Sequence, residues 1–295
     1  MYLAVLIVTV FILSKKKALS LRPSPLPDIP WSLLEMALIF IVIELGKSLI
    51  SGGFSAFAGT KAGELGEALS FPVAIVSLCI FFLFSLGLQR TITVFGLNHR
   101  LRVLQALFGI RWTLLYISCV FMLVVSVLSI EDLRQGALFQ RVQHEWEVWG
   151  WLGLSLQLVT AVLAGPILEE LMFRGLLYSA VRQKISMWPA ILITSAVFML
   201  YHGVTRYGTF FIGIFFSLLL EKSHSLLPAI IAHISHNFFM RVLTISLVLS
   251  DSSSVYLYFF GVGSLGIVGI FLVEIWLRKR RNLPFGWDSI WSVPR

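Results

Sequence analysis

Long apolar runs separated by short charged clusters make up most of this chain. The runs are Met1–Ser14, Pro30–Ile50, Ala68–Gln89, Thr113–Ile130, Val148–Leu168, Ile185–Tyr201, Tyr207–Leu220, Leu226–Ser250 and Ser252–Val273. A charge-free stretch of about 17–22 residues is long enough, as a helix, to cross the ~30 Å hydrocarbon layer. The pattern predicts an all-α fold, a polytopic transmembrane helical bundle of about 8–9 spans. Met1–Ser14 is short for a span and has no preceding basic residue. Its charges follow it, at Lys15, Lys16 and Lys17. That order reads as an uncleaved anchor with its N-terminus outside, not as a cleaved signal peptide.

Composition narrows the class further. Of 295 residues, 58% are hydrophobic and 13% charged, too few charges to cover a water-soluble particle of this size. The net charge of +8 would suggest nucleic acid if it were spread over a surface, but it is held in short clusters between apolar runs. Such clusters suit loops facing an anionic leaflet, so the lipid bilayer is the expected partner and nucleic acid is not. Basic clusters at Lys15–Arg22, Arg90–Arg111, Arg182–Lys184 and Arg278–Arg281 alternate with the acidic loop at Glu131–Glu147. The C-terminus is therefore expected in the cytoplasm. Cys79 and Cys119 both lie inside apolar runs and define neither a disulfide framework nor a thiolate site. Glu44 and Lys47, spaced i, i+3 in the second run, read as a local ion pair.

The residues that are costly in hydrocarbon gather in the second half. Glu169, Glu170 and Arg174 follow one apolar run, His202 ends the next, and His233, His236, Asn237 and Arg241 lie within a third. Ionisable groups at such depth mark a functional site by default. Arg174 is i+4 from Glu170, so these two can pair along one face, while Glu169 lies about 100° round the helix and remains available as a base. Phe198 and His202 are also i, i+4, as are His233 and Asn237, so a ring and an imidazole, then an imidazole and an amide, share a face. At about 1.5 Å rise per residue, Glu169 and His202 both lie ~23 Å from a turn near Lys184–Met187. His233 and Asn237 lie ~9–15 Å from the next turn on that side, near His224–Leu227, so a tilt or stagger is needed to bring all four together. His236 reads as a packing residue, Arg241 as a structural pairing partner, and Lys222 and His224 as loop residues.

The stretch from Gly165 to Gly175 contains Glu169-Glu170-Leu171-Met172-Phe173-Arg174, which resembles the EExxxR motif of the CPBP family. This is the CAAX protease and bacteriocin-processing family, also called ABI. Phe198-Met199-Leu200-Tyr201-His202 resembles its FxxxH motif, and His233-Ile234-Ser235-His236-Asn237 its HxxxN motif. The resemblance covers roughly residues 148–250, which divides the chain into 1–147 (helices of unassigned role), 148–250 (a CPBP-like core) and 251–295 (a last span and basic tail). It implies an intramembrane glutamic endopeptidase acting on membrane-associated peptides or proteins, CAAX-type C-terminal processing among them, in a bacterial plasma membrane. Carried onto this chain, Glu169 is the general base that activates water and His202 helps to hold it. His233 and Asn237 stabilise the oxyanion, while Glu170, Arg174 and Phe198 support. No cofactor is then needed. The mechanistic alternative is a zinc ion held by Glu169, His202 and His233 with water in the fourth place. Two functional alternatives stand beside the peptidase: a bacteriocin self-immunity or scaffold protein with no required turnover, and a transporter. The chain shows no internal repeat of the kind that transporters usually carry.

Overall fold

The computed structural model describes residues 31–94, 135–203 and 207–249, together with 106–107, 109–110, 112–113, 272, 275–276 and 279–280. All regular elements among them are helices. The Met1–Ser14 anchor, nearly all of the Thr113–Ile130 and Ser252–Val273 runs, the Glu131–Asp132 charges and the basic tail lie outside the described residues, apart from the isolated positions given above.

Helix α1, Leu33–Leu86, contains both the second and the third apolar run. It is broken at Ala58 and Gly59, where Gly59 takes φ 83° and ψ −177°, a conformation that disfavours any residue with a Cβ. The break folds the helix into two antiparallel arms. Trp31, just before the first arm, packs on Phe81 and Phe82 of the second, with ring centroids 5.0 and 5.3 Å apart. Ser51 Oγ donates to the Gly63 carbonyl across the hairpin at 3.1 Å. The sequence pattern leaves residues 51–67 between two spans; apart from the break they are helical. A helix continues here because its own ladder satisfies the backbone, and Gly63 and Gly66 let the arms close. A Cβ at Gly63 would collide with Ser55 Oγ, and one at Gly66 would fall 2.8 Å from Phe54 Cβ.

Glu35, which reads from the sequence as a charge inside an apolar run, sits at the helix start. Its carboxylate accepts from the Ser32 N–H at 2.6 Å, and its own N–H donates to Ser32 Oγ at 3.3 Å. This is a capping box, and its signature is legible as Ser32-Leu33-Leu34-Glu35. Leu33, Met36, Ala37, Phe40 and Ile43 are buried, while Leu34, Leu38, Val42, Leu45 and Leu49 are exposed. Both faces are apolar. A helix that is hydrophobic all round, with one apolar face turned outward, suits lipid on that face.

A short helix α2, Leu88–Val94, follows Gly87. After the next described stretch come α3, Ala137–Trp149, and α4, Trp151–Arg182. Gly150, at φ 55°, separates them. Gly153 then lets the chain turn back closely, because a Cβ there would lie 2.7 Å from the Glu145 carbonyl oxygen. Helix α4 widens into π-helical turns at Leu158–Ala164 and Leu171–Tyr178, on either side of the α-helical turn Gly165–Glu170. Such π turns are rare and gather at functional sites. Helices α5, Met187–His202, α6, Tyr207–Ser223, and α7, Leu226–Leu249, complete the described elements.

Three of these helical segments are long and apolar enough to cross a membrane: Ala62–Leu86, Trp151–Arg182 and Leu226–Leu249. Met187–His202 is apolar but shorter. The described residues do not set the span count expected from the sequence, since three of its runs lie largely outside them. Lys222 is corrected from loop to helix, because it stands in the last turn of α6, where a cation meets the negative end of the helix dipole. His224, at φ 53°, does lie in the connection to α7.

The chain forms two compact units. One comprises the described parts of Met1–Arg102 and Ile167–Ala229, the other those of Val103–Pro166 and Ile230–Arg295. In the first unit, α5 and α6 approach closely where Gly213 meets Ser195. A Cβ on Gly213 would lie 2.9 Å from Ser195 Cβ and 3.1 Å from its Cα. Small residues at such a crossing let membrane helices gain dispersion contacts that lipid cannot replace. Gly213→Val is therefore expected to cost about 1–3 kcal/mol by overpacking. Gly208→Ala, in the same helix with nothing within 4 Å of the added carbon, should leave the melting temperature unchanged. Thermal unfolding of both variants in detergent checks this.

Candidate active site

In the first unit, the turn between α4 and α5 brings Glu169 and His202 together. His202 Nε2 lies 3.3 Å from Glu169 Oε2, and both side chains are largely but not fully buried, at 19% and 15% exposure. His202 Nδ1 is 2.9 Å from the Phe198 carbonyl one turn earlier. A carbonyl only accepts, so Nδ1 carries a proton and donates it there. The remaining nitrogen, Nε2, faces the carboxylate. At that distance the two groups form an ion pair when the imidazole is protonated and the carboxyl is not. Phe198 and Tyr201 wall the imidazole, with ring centroids 4.4 and 5.4 Å from it.

Glu170 points elsewhere. Its Oε1 accepts from Arg174 Nη1 at 3.1 Å, with the two side chains 0% and 2% exposed. Arg174 Nη2 donates to the Gly213 carbonyl at 3.0 Å, and its guanidinium lies over Phe198 at 4.4 Å and Phe216 at 5.3 Å. The adjacent glutamates are thus divided by helix geometry. One is locked in a buried ion pair within α4 whose arginine also bonds α6, the other meets the imidazole on α5. Gly175 completes this corner, because a Cβ there would lie 3.3 Å from Leu226 Cδ1. Phe173 fills the space beneath, edge-on to Phe40, Phe198 and Tyr201 with centroids 5.2, 5.0 and 5.3 Å away.

His233 and Asn237 lie in the second unit, one turn apart on α7. His233 is buried, and Asn237 Nδ2 donates to the Ala161 carbonyl at 2.8 Å. Ala161 belongs to the first π-helical stretch. An amide nitrogen carries two hydrogens, so this bond fixes the amide's direction with one of them. Arg241, one turn further along α7, is buried as well.

Two polar clusters contain partners distant in sequence that the sequence could not show. Arg182, counted there among the loop charges, is 3% exposed and donates from Nε to Glu221 Oε1 at 2.7 Å. Tyr178 donates its hydroxyl to the same oxygen at 2.5 Å. Glu221 carried no local signal, because its partners are 39 and 43 residues away. In the other cluster, Glu44 and Lys47 form the expected i, i+3 pair at 3.1 Å, and both also touch Tyr201. Among the described residues, no group of three or more His, Cys, Asp or Glu side chains is arranged to hold a metal ion.

Fold and site together define an all-helical integral membrane protein with a carboxylate–imidazole pair on adjoining helices. Residues 151–239 match the family of type II CAAX prenyl endopeptidases, Rce1-like. The chain is also similar to a Bacillus subtilis (strain 168) protein named Putative membrane peptidase YdiL, 27% identical over 92 residues. That alignment covers 30% of this chain and 38% of the relative's length. The two matches support assignment to the CPBP family. No solved structure matches the chain.

Proposed function

We propose that this protein is an intramembrane endopeptidase that hydrolyses peptide bonds of membrane-associated peptides or proteins with water activated by Glu169. The observation that carries the reading is the division of the two glutamates. Glu170 is held in a buried ion pair, and Glu169 is left facing His202. In the carboxylate–imidazolium form, Glu169 takes a proton from water as the oxygen bonds to the scissile carbonyl carbon. His202, anchored through Nδ1, holds the nucleophile in place. The resulting tetrahedral oxyanion is stabilised by donors from His233 and Asn237. Glu169 then returns the proton to the leaving nitrogen as the C–N bond breaks, which yields a carboxylate and a free amine. The family match favours CAAX-type C-terminal processing as the substrate class.

The proposed chemistry needs no cofactor, with zinc held by Glu169, His202 and His233 as the alternative. The test uses pure protein in detergent and a peptide library. Cleavage should be seen with the wild type, should persist with chelator present, and should come with far less than one zinc per chain. Asn237→Ala should cut kcat by ~10²–10³-fold with little change in KM, as loss of an oxyanion donor does. Stoichiometric zinc, loss of activity on chelation and a nearly normal Asn237→Ala enzyme would instead establish the zinc site. No cleavage of any peptide by intact, folded protein would overturn the peptidase reading in favour of an immunity or scaffold role.

A further inference from the structure

Beside the Glu169–His202 pair lies a polar cluster that the proposed chemistry does not use. Phe40, Glu44 and Lys47 fall on one stripe of the first arm of α1, at spacings of four and three. Lys47 Nζ donates to the two Glu44 carboxylate oxygens at 3.1 and 3.3 Å and to the Tyr201 hydroxyl at 3.2 Å. The Tyr201 hydroxyl in turn donates to Glu44 Oε1 at 2.9 Å. The ring of Phe71, on the second arm, lies 4.5 Å from the ammonium. With its donors spent on Glu44, Tyr201 and that aromatic face, Lys47 is suited to holding Tyr201 rather than to capturing a ligand's carboxylate.

What it holds matters, because α5 ends here. His202 is its last residue, and Gly203, at φ 118°, turns the chain away. Final helical turns fray, since their carbonyls lack partners in the helix. The imidazole's bond to the Phe198 carbonyl and the Gly203 N–H bonds to Met199 and Leu200 act within the helix, so holding this end against neighbouring helices needs a tether from outside it. Tyr201 provides the tether, with its ring against Phe173 and its hydroxyl fixed to α1.

We infer that Glu44 and Lys47 are positioning residues for the Glu169–His202 pair, acting through Tyr201, so that the first helical arm is a working part of the site. This rests on the hydrolytic reading of that pair. Both residues lie outside the segment 151–239 that matches the family.

The test uses the full chain in detergent and the variants Glu44→Gln, Lys47→Met, Tyr201→Phe and the exchanged double variant Glu44→Lys/Lys47→Glu. Each single variant should lower kcat about tenfold or more with KM within about twofold, because misplacement of a catalytic group acts on the transition state. The exchanged pair keeps one cation and one carboxylate beside the hydroxyl, so it should recover kcat to within about threefold of wild type. A second readout needs no turnover. Carbethoxylation of His202 by diethyl pyrocarbonate, followed by peptide mapping against His144 as reference, should be several-fold faster in the single variants and near wild type in the exchanged pair. Unchanged kcat in the single variants, with Glu169→Ala still inactive, would overturn the inference. If no variant and no wild type cleaves anything, the hydrolytic reading has failed, and the His202 modification rates alone decide the positioning role. Equal rates throughout would reject it.

Discussion

Glu169→Ala is expected to lower peptide cleavage by about 10²–10⁴-fold while leaving a folded, monodisperse protein in detergent, since loss of a general base typically costs that much. His202→Ala should fall in the same range, because its Nε2 contact with Glu169 and its Nδ1 bond to Phe198 are the means by which the pair is oriented. The two losses should not add. Residues that act as one unit lose most of their joint effect when either is removed, so the double variant should resemble the worse single one. Glu169→Gln adds a sharper comparison. It keeps the shape and one acceptor oxygen but cannot take up a proton, so it should be as inactive as Glu169→Ala. Cleavage rates measured at saturating peptide, with melting temperatures alongside, check all four variants. Activity of Glu169→Ala within a few-fold of wild type would remove Glu169 from the mechanism.

The largest stability effect is expected at Glu170 and Arg174. Both are nearly solvent-free, and removal of one partner strands a charge that neither water nor lipid can solvate well, at a cost of about 3–5 kcal/mol. Glu170→Gln and Arg174→Ala should therefore melt well below wild type, and their activity should fall as the site loosens. Arg174→Ala carries an additional loss, since it also gives up the Gly213 carbonyl and the faces of Phe198 and Phe216. Replacing both charges together, as Glu170→Met/Arg174→Met, should be less harmful than Glu170→Met alone, because no unpaired charge remains. Thermal unfolding of Glu170→Met, Arg174→Met and the double variant beside wild type measures the coupling directly. If the single variants melt like wild type, the pair and its arginine's bond to α6 do not stabilise the fold.

The helical class and the pairings of Glu170 with Arg174 and of Glu169 with His202 were legible in the sequence because they depend on short-range rules. Apolar runs too long for a soluble core indicate membrane helices, and i, i+4 spacing alone sets Glu170 against Arg174. The equal depths of Glu169 and His202 follow from helical rise and one turn. Where the sequence reading missed local structure, a signal was sometimes present: Ser32-Leu33-Leu34-Glu35 is a capping box, and Glu35 needed no partner at membrane depth.

Other features had no local signal. The Arg182–Glu221–Tyr178 cluster, the clasp of Tyr201 by Glu44 and Lys47, and the bond from Arg174 to the Gly213 carbonyl join residues 39 to 157 positions apart. Which charged groups become partners at that distance depends on how helices pack and on which small residues permit their approach. The fold of α1 into two arms is a similar case, since it needed Gly59 to accept a left-handed φ and Gly63 and Gly66 to leave room for Ser55 and Phe54. The sequence by itself determined which helices form and which residues within one helix share a face, because hydrophobicity, rise and periodicity act along the chain. Only the tertiary structure decided which buried charges meet across helices, because desolvated groups must find their partners in space and sequence distance carries no information about that.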